Sequence, residues 1–138
     1  MVNQYLITLP VFPKGFHLIT DHVIKVLPVL PEAGLLHVFI QHTSAALAIN
    51  ENADATVRHD MDKGFDQLAP ENQPFYQHTV EGPDDMPAHL KAAMLGHAVS
   101  LPITQGELAL GTWQGIYLGE HRNDGGRRWV VATLMGTE

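Results

Sequence analysis

Apolar runs in this chain are short, and nearly all of them stop at a proline or a glycine. Tyr5 to Leu9 ends against Pro10 and Pro13, Gly34 to Gln41 follows Pro28 and Pro31, and glycines 96, 106, 111, 115 and 119 divide the C-terminal third. Runs of this length suit strands, and such punctuation excludes long helices almost everywhere. One stretch escapes. Asp54 to Leu68 contains no proline and carries Val57, Met61, Phe65 and Leu68 at spacings of four, four and three, with Asp54 placed as its N-cap. Its other face, with Arg58, Asp62, Lys63 and Asp66, suits water.

Around that helix the pattern predicts a mostly antiparallel β protein. Tyr5–Leu9 and Gly15–Thr20 read as partner strands. Thr20 or Asp21 then caps a helix bearing Val23, Ile24, Val26 and Leu27, which Pro28 and Pro31 interrupt or end. Gly34–Gln41 has the near-continuous apolar character of a central strand, and Ala45–Ile49 is a shorter one. Met86 or Pro87 to Leu95 predicts a second helix stopped by Gly96. Ala98–Ile103, a turn at Gly106, Glu107–Leu110, Gly115–Gly119 and Arg128–Leu134 complete the strands, with a hairpin turn expected at Asn123–Gly126. At 138 residues, without repeats or linkers, residues 1–138 form a single α+β domain.

Composition narrows the chemistry. There is no cysteine, so disulfides, zinc ribbons and thiol catalysis are excluded. A net charge of -7 argues against nucleic-acid or anionic-membrane partners. No apolar run approaches a membrane span, and the N-terminus shows no basic start followed by an apolar stretch, so the expected location is cytoplasmic.

Two segments concentrate polar residues where their surroundings do not call for them. Gln41-His42-Thr43-Ser44, running on to Asn50-Glu51-Asn52, adjoins apolar sequence; His78 to His89 threads histidine and acid through a Pro- and Gly-rich loop. Imidazoles and carboxylates together suit a divalent metal, zinc or magnesium, or an anionic substrate. The candidates are His42, Glu51, His78 and His89, although no compact ligand motif joins them. His17, His22, His37, His59 and His97 read as ordinary core or surface residues. A serine nucleophile at Ser44 is disfavoured because no glycine elbow surrounds it; Thr43 and Ser44 fit better as anion holders or turn caps. Gly111-Thr112-Trp113-Gln114-Gly115 reads as either a packed bulge or an aromatic wall for a heterocycle. Arg122, Arg127 and Arg128 read as either phosphate ligands or a solvated edge.

Taken in order, Leu36 to Leu47, Asn50-Glu51-Asn52, Arg58-His59-Asp60-Met61, Glu81 to His89 and Gly111 to Arg122 resemble the YjbQ-like family, small bacterial and archaeal proteins often labelled secondary thiamine-phosphate synthase. The resemblance covers nearly the whole chain. It implies two antiparallel sheets in a sandwich with inserted helices, assembled as a homotrimer. It also implies metal ligands at His42, His78 and His89, and catalytic roles for His42, Glu51 and His89. Thr43, Ser44, Asn50, Asp85, Trp113, Gln114 and Arg122 would contact substrate or anion, with Glu120 and His121 in a second tier. The implied reaction joins a pyrimidine methyl diphosphate to a thiazole phosphate and releases pyrophosphate. The alternative is a noncatalytic trimer that binds a phosphorylated metabolite or a metal.

Overall fold

A computed structural model describes residues 1–138. Eight strands and three helices follow in the order β1 (Val2–Thr8), β2 (Gly15–Leu18), α1 (Thr20–Ile24), β3 (Ala33–Ile40), β4 (Ala45–Glu51), α2 (Ala55–Leu68), α3 (Asp85–Leu95), β5 (Ala98–Thr104), β6 (Glu107–Leu108), β7 (Gln114–Glu120) and β8 (Trp129–Gly136). They make two wholly antiparallel sheets, one ordered β1-β8-β3-β5-β6 and the other β2-β7-β4. The fold is the expected α+β arrangement of two antiparallel sheets with inserted helices.

The core lies between the sheets. Alternate residues of the larger sheet point inward, among them Leu36, Val38, Ile40, Leu101, Val130, Ala132 and Leu134. They meet Ala45, Leu47, Ile116 and Leu118 of the smaller sheet. Every residue of β7 from Gly115 to Glu120 is buried, because α2 and α3 cover the second face of the smaller sheet. Phe65 of α2 packs there against Phe16, with ring centroids 5.8 Å apart. The outer face of the larger sheet has no such cover. Its outward positions form cross-strand rows: Leu6, Val131 and Phe39 in one, and Val2, Met135 and Leu35 in another. Between them runs a polar row in which Gln4 bonds Thr133 and His37 bonds Ser100. No helix is long and apolar enough to cross a membrane.

Several local expectations hold. Asp54 accepts the Thr56 N–H at 2.9 Å and opens α2, Gly96 ends α3, and the β5–β6 turn uses positive φ at both Gln105 and Gly106. Three others are corrected. β1 and β2 are not partners: the Pro10–Pro13 connection carries the chain from one sheet to the other, and β1 pairs with β8 while β2 pairs with β7. Asn123–Gly126 is likewise a crossover between sheets and not a hairpin. Gly125 is required there by close approach, since a Cβ at that position would collide with the Glu120 carboxylate. Finally, Thr20 does not cap α1; its hydroxyl accepts the Ile116 N–H at 2.9 Å and ties the helix to β7.

Candidate functional site

α3 begins with two acids, and they organise everything around them. Asp84 is the N-cap position and Asp85 the first helical residue; both are buried. Carboxylates are favoured at a helix N-terminus by the exposed N–H groups there. Arg122, just beyond β7, joins the pair: its Nε donates to Asp84 Oδ2 at 2.9 Å and its Nη1 to Asp85 Oδ1 at 2.7 Å. Its Nη2 donates to the Glu81 carbonyl, so each of the three guanidinium nitrogens has a partner. This corrects the expectation that Arg122 holds a substrate anion. It holds the acids instead.

With Oδ1 fixed, Asp85 presents Oδ2 to two imidazoles. His78 Nε2 lies 2.7 Å away and His89 Nε2, one helical turn along α3, lies 3.0 Å away. His78, Asp85 and His89 form the one metal-competent group, with ligand atoms all within 4.8 Å of one another. The decisive contact is on the far side of His89. Its Nδ1 sits 2.9 Å from the Thr43 carbonyl, which can only accept, so Nδ1 carries the proton. With Nδ1 protonated, a bare Nε2 would face a carboxylate oxygen. That arrangement is repulsive unless a cation lies between the two: a proton on Nε2 or a metal ion. A ligand imidazole whose other nitrogen donates to a backbone carbonyl is the usual second layer of a metal centre. Two imidazoles and one carboxylate also match the three-ligand donor set of catalytic zinc sites. The residues present fit a divalent ion.

Asp85 is ionised in this setting. Burial pushes its carboxyl up, but the His78 hydrogen bond and the charges of His89 and Arg122 outweigh burial and hold it below the usual carboxylate range.

His42 is not among the ligands, which corrects that expectation. The Trp129 N–H donates to its Nε2 at 3.1 Å, so its acceptor nitrogen is engaged, and Arg128 Nη1 stands 3.3 Å from Nδ1. Burial, and then Arg128, lower the His42 pKa and keep it neutral. Arg128 is itself buried in a bidentate pair with Glu120, at 2.8 and 2.7 Å, and donates to Ser44 Oγ at 2.9 Å. Ser44 is thus an internal partner of Arg128 and not an anion holder; Arg128 is neither a solvated edge nor a free phosphate ligand. Thr43 contributes its carbonyl, with the side chain exposed.

The remaining expected residues lie elsewhere. Ala45 pairs with Glu120 and Glu51 with Gln114, at opposite ends of β4. Six residues of strand put about 20 Å between those ends. Glu51 there accepts the N–H groups of Ala53 and Asp54 at 3.1 and 2.9 Å, Asn50 accepts the Glu51 N–H, and Gln114 accepts the Gly111 N–H. Trp113 is 65% exposed beside them. Within one chain, Glu51, Asn50, Trp113 and Gln114 do not join the His78–Asp85–His89 centre. Sequence reasoning missed Asp84 altogether and placed Glu120 in a second tier. Part of the signal for Asp84 was present, in two adjacent acids at the start of a helix; its partner Arg122 comes 38 residues later.

The residue span 7–137 matches the family model described as UPF0047 protein YjbQ-like. The UPF0047 protein YjbQ of Salmonella typhimurium is 54% identical over 138 residues, covering 99% of each chain. A Clostridium acetobutylicum structure described as an uncharacterized conserved protein of the yjbq/upf0047 family is 36% identical with a TM-score of 0.77, covering 95% of this chain and 97% of that one. A Sulfolobus solfataricus structure described as a protein of unknown function superposes with a TM-score of 0.86 at 23% identity, covering 99% of each chain, and speaks to the fold alone.

Proposed function

The chain belongs to the YjbQ-like UPF0047 family, and on that footing we propose that it is a metal-dependent enzyme acting on a phosphorylated small molecule at the His78–Asp85–His89 centre. The observation that carries the reading is the convergence of His78 Nε2 and His89 Nε2 on the buried Asp85 Oδ2, with His89 Nδ1 turned to the Thr43 carbonyl so that Nε2 faces the carboxylate. His78, Asp85 and His89 would hold the ion. When bound, it would supply Lewis-acid stabilisation of charge on a phosphoryl oxygen. The chain's own part is orientation. Arg122 fixes Asp85 Oδ1, Asp84 fixes Arg122, and Thr43 sets the His89 tautomer.

The finer form of the proposal is thiamine-phosphate synthase-like transfer, joining a pyrimidine methyl diphosphate to a thiazole phosphate with release of pyrophosphate. It is supported only by the resemblance. With Trp113 about 20 Å from the centre along β4, a ring wall for that substrate would have to come from a second copy. A homotrimer belongs to the same proposal, and what supports it is the uncovered outer sheet face, where Val2 and Leu6 are 64% and 67% exposed. Mass by light scattering tests the assembly.

The test of the metal reading is elemental analysis and metal titration of wild type, His89→Ala and Arg122→Gln, beside an assay of pyrophosphate release from the pyrimidine diphosphate and thiazole phosphate pair. The expectation is one ion per chain in the wild type, loss of binding in His89→Ala, and affinity about 10- to 100-fold weaker in Arg122→Gln. Metal-free wild type after supplementation sinks the metal centre. Tight metal binding without turnover favours the noncatalytic binding protein.

A further inference from the structure

We propose that the cavity enclosed by α2, α3 and the end of β7 is a second binding site, which takes a small oxyanion, either the phosphate group or the carboxylate of a metabolite. The cavity has a volume of about 250 Å³. Lys14, from the β1–β2 connection, and Lys91, from α3, reach it from opposite sides. Both ammonium groups converge on Oδ1 of Asp66, at 2.9 and 2.6 Å, and Lys14 also reaches Asp62 at 2.8 Å. Two cations on one carboxylate oxygen repel each other at close range, and an anion between them would relieve that. Lys91 makes the case sharper. Its side chain is 3% exposed, an ammonium carries three donors, and Asp66 is its one protein acceptor. A buried ammonium so sparsely bonded is stabilised by each further acceptor it gains.

His121 gives the independent sign. It lines the same cavity, is 3% exposed, and its buried Nε2 has no hydrogen-bond partner. Burial, followed by Lys91 and Lys14, lowers its pKa to about 3 against the opposing influence of Asp62. The imidazole is therefore neutral. The acids on the wall are bonded already or stand at the rim. Asp84 Oδ2 is engaged by Arg122 and the Asn123 N–H, Asp66 by the two lysines, and Glu71 stands on the exposed rim. Lys91 projects from a different side of α3 than Asp85 and His89, so the cavity is separate from the proposed metal centre.

Calorimetric titration of inorganic phosphate and, separately, acetate into the full chain tests this, with His89→Ala kept metal-free as the reference protein. That background separates the cavity from the metal reading, because an anion riding on a bound ion vanishes there while an anion in the cavity remains. Saturable binding that persists in His89→Ala is the expected result. Lys14→Gln should weaken it at least tenfold, and His121→Phe, which removes the unpartnered nitrogen, should weaken it as well. Both variants leave Lys91 in place, and thermal melts confirm that they are folded. Preference for phosphate or for acetate identifies the group. Absence of binding for both anions, indifference to both variants, or loss in His89→Ala overturns the proposal.

Discussion

The two ends of β4 carry polar residues of similar kind and use them in opposite ways. At the Ala45 end, buried charges meet across long stretches of sequence: Arg128 with Glu120 and Ser44, Arg122 with Asp84 and Asp85, His89 with the Thr43 carbonyl. At the Glu51 end, Asn50 and Glu51 bond to the backbone of their immediate neighbours, only Asn52 reaches across to the Thr112 and Gln114 carbonyls, and that end is half-exposed. Buried charge held by distant partners fixes side chains in geometries they would not choose alone. Local bonding only ends a strand and begins a helix. The first end gathers the buried charge, and the second sets chain direction.

The largest effect expected from breaking this contrast is at Arg128. Arg128→Met leaves the Glu120 carboxylate, 1% exposed, without its cation, at a cost of about 3–5 kcal/mol. Urea denaturation measures it, and a loss below about 1 kcal/mol would remove the distinction between the ends.

Acid should find the same end next. The His121 pKa is depressed to about 3 in the fold against 6.5 for a free imidazole. Between those values the unfolded chain binds the extra proton, so stability falls as pH falls, by at most about 1.4 kcal/mol per pH unit. His42, lowered in the same direction, adds to this slope. His121→Leu should flatten the stability profile below pH 6.5; an unchanged profile counts against the burial of a neutral ring.

At the other end the effects shrink. Glu51→Ala removes acceptors from two turn N–H groups and should cost about 1 kcal/mol, with metal affinity untouched; a matched fall in metal binding would mean that the ends communicate. Trp113→Ala should move single-chain stability by less than about 0.5 kcal/mol. A larger, concentration-dependent shift would show that a second copy covers the ring.

Local signals in the sequence were reliable where the physics is local. The α2 period, its Asp54 cap, the Gly96 stop and the turn at Gly106 were all legible. His78 and His89, singled out because they stand in an acid-rich Pro/Gly loop, do meet at one carboxylate, Asp85. Strand partnership was not legible. Neighbours in sequence, β1 with β2 and β7 with β8, fall in different sheets, and nothing in their patterns encodes which sheet each joins. His42 misled for a related reason: its sequence context matches a ligand, but the groups that engage it, Arg128 and Trp129, arrive 86 and 87 residues later. Asp62 and Asp66 looked like solvent-facing positions on α2 and are instead the partners of Lys14 and Lys91.

The sheet order β1-β8-β3-β5-β6 has a consequence in time. β8 follows every other strand in the chain, yet it lies between β1 and β3 and is the only partner β1 has. A chain made from its N-terminus must therefore carry β1 as an open edge until β8 has been synthesised. Arg128 comes at the threshold of that same strand, so Glu120 and Ser44 wait with it. Closure of the large sheet and neutralisation of the buried Glu120 carboxylate become one late event, and nascent chains stalled before residue 128 should be the species that chaperones hold longest.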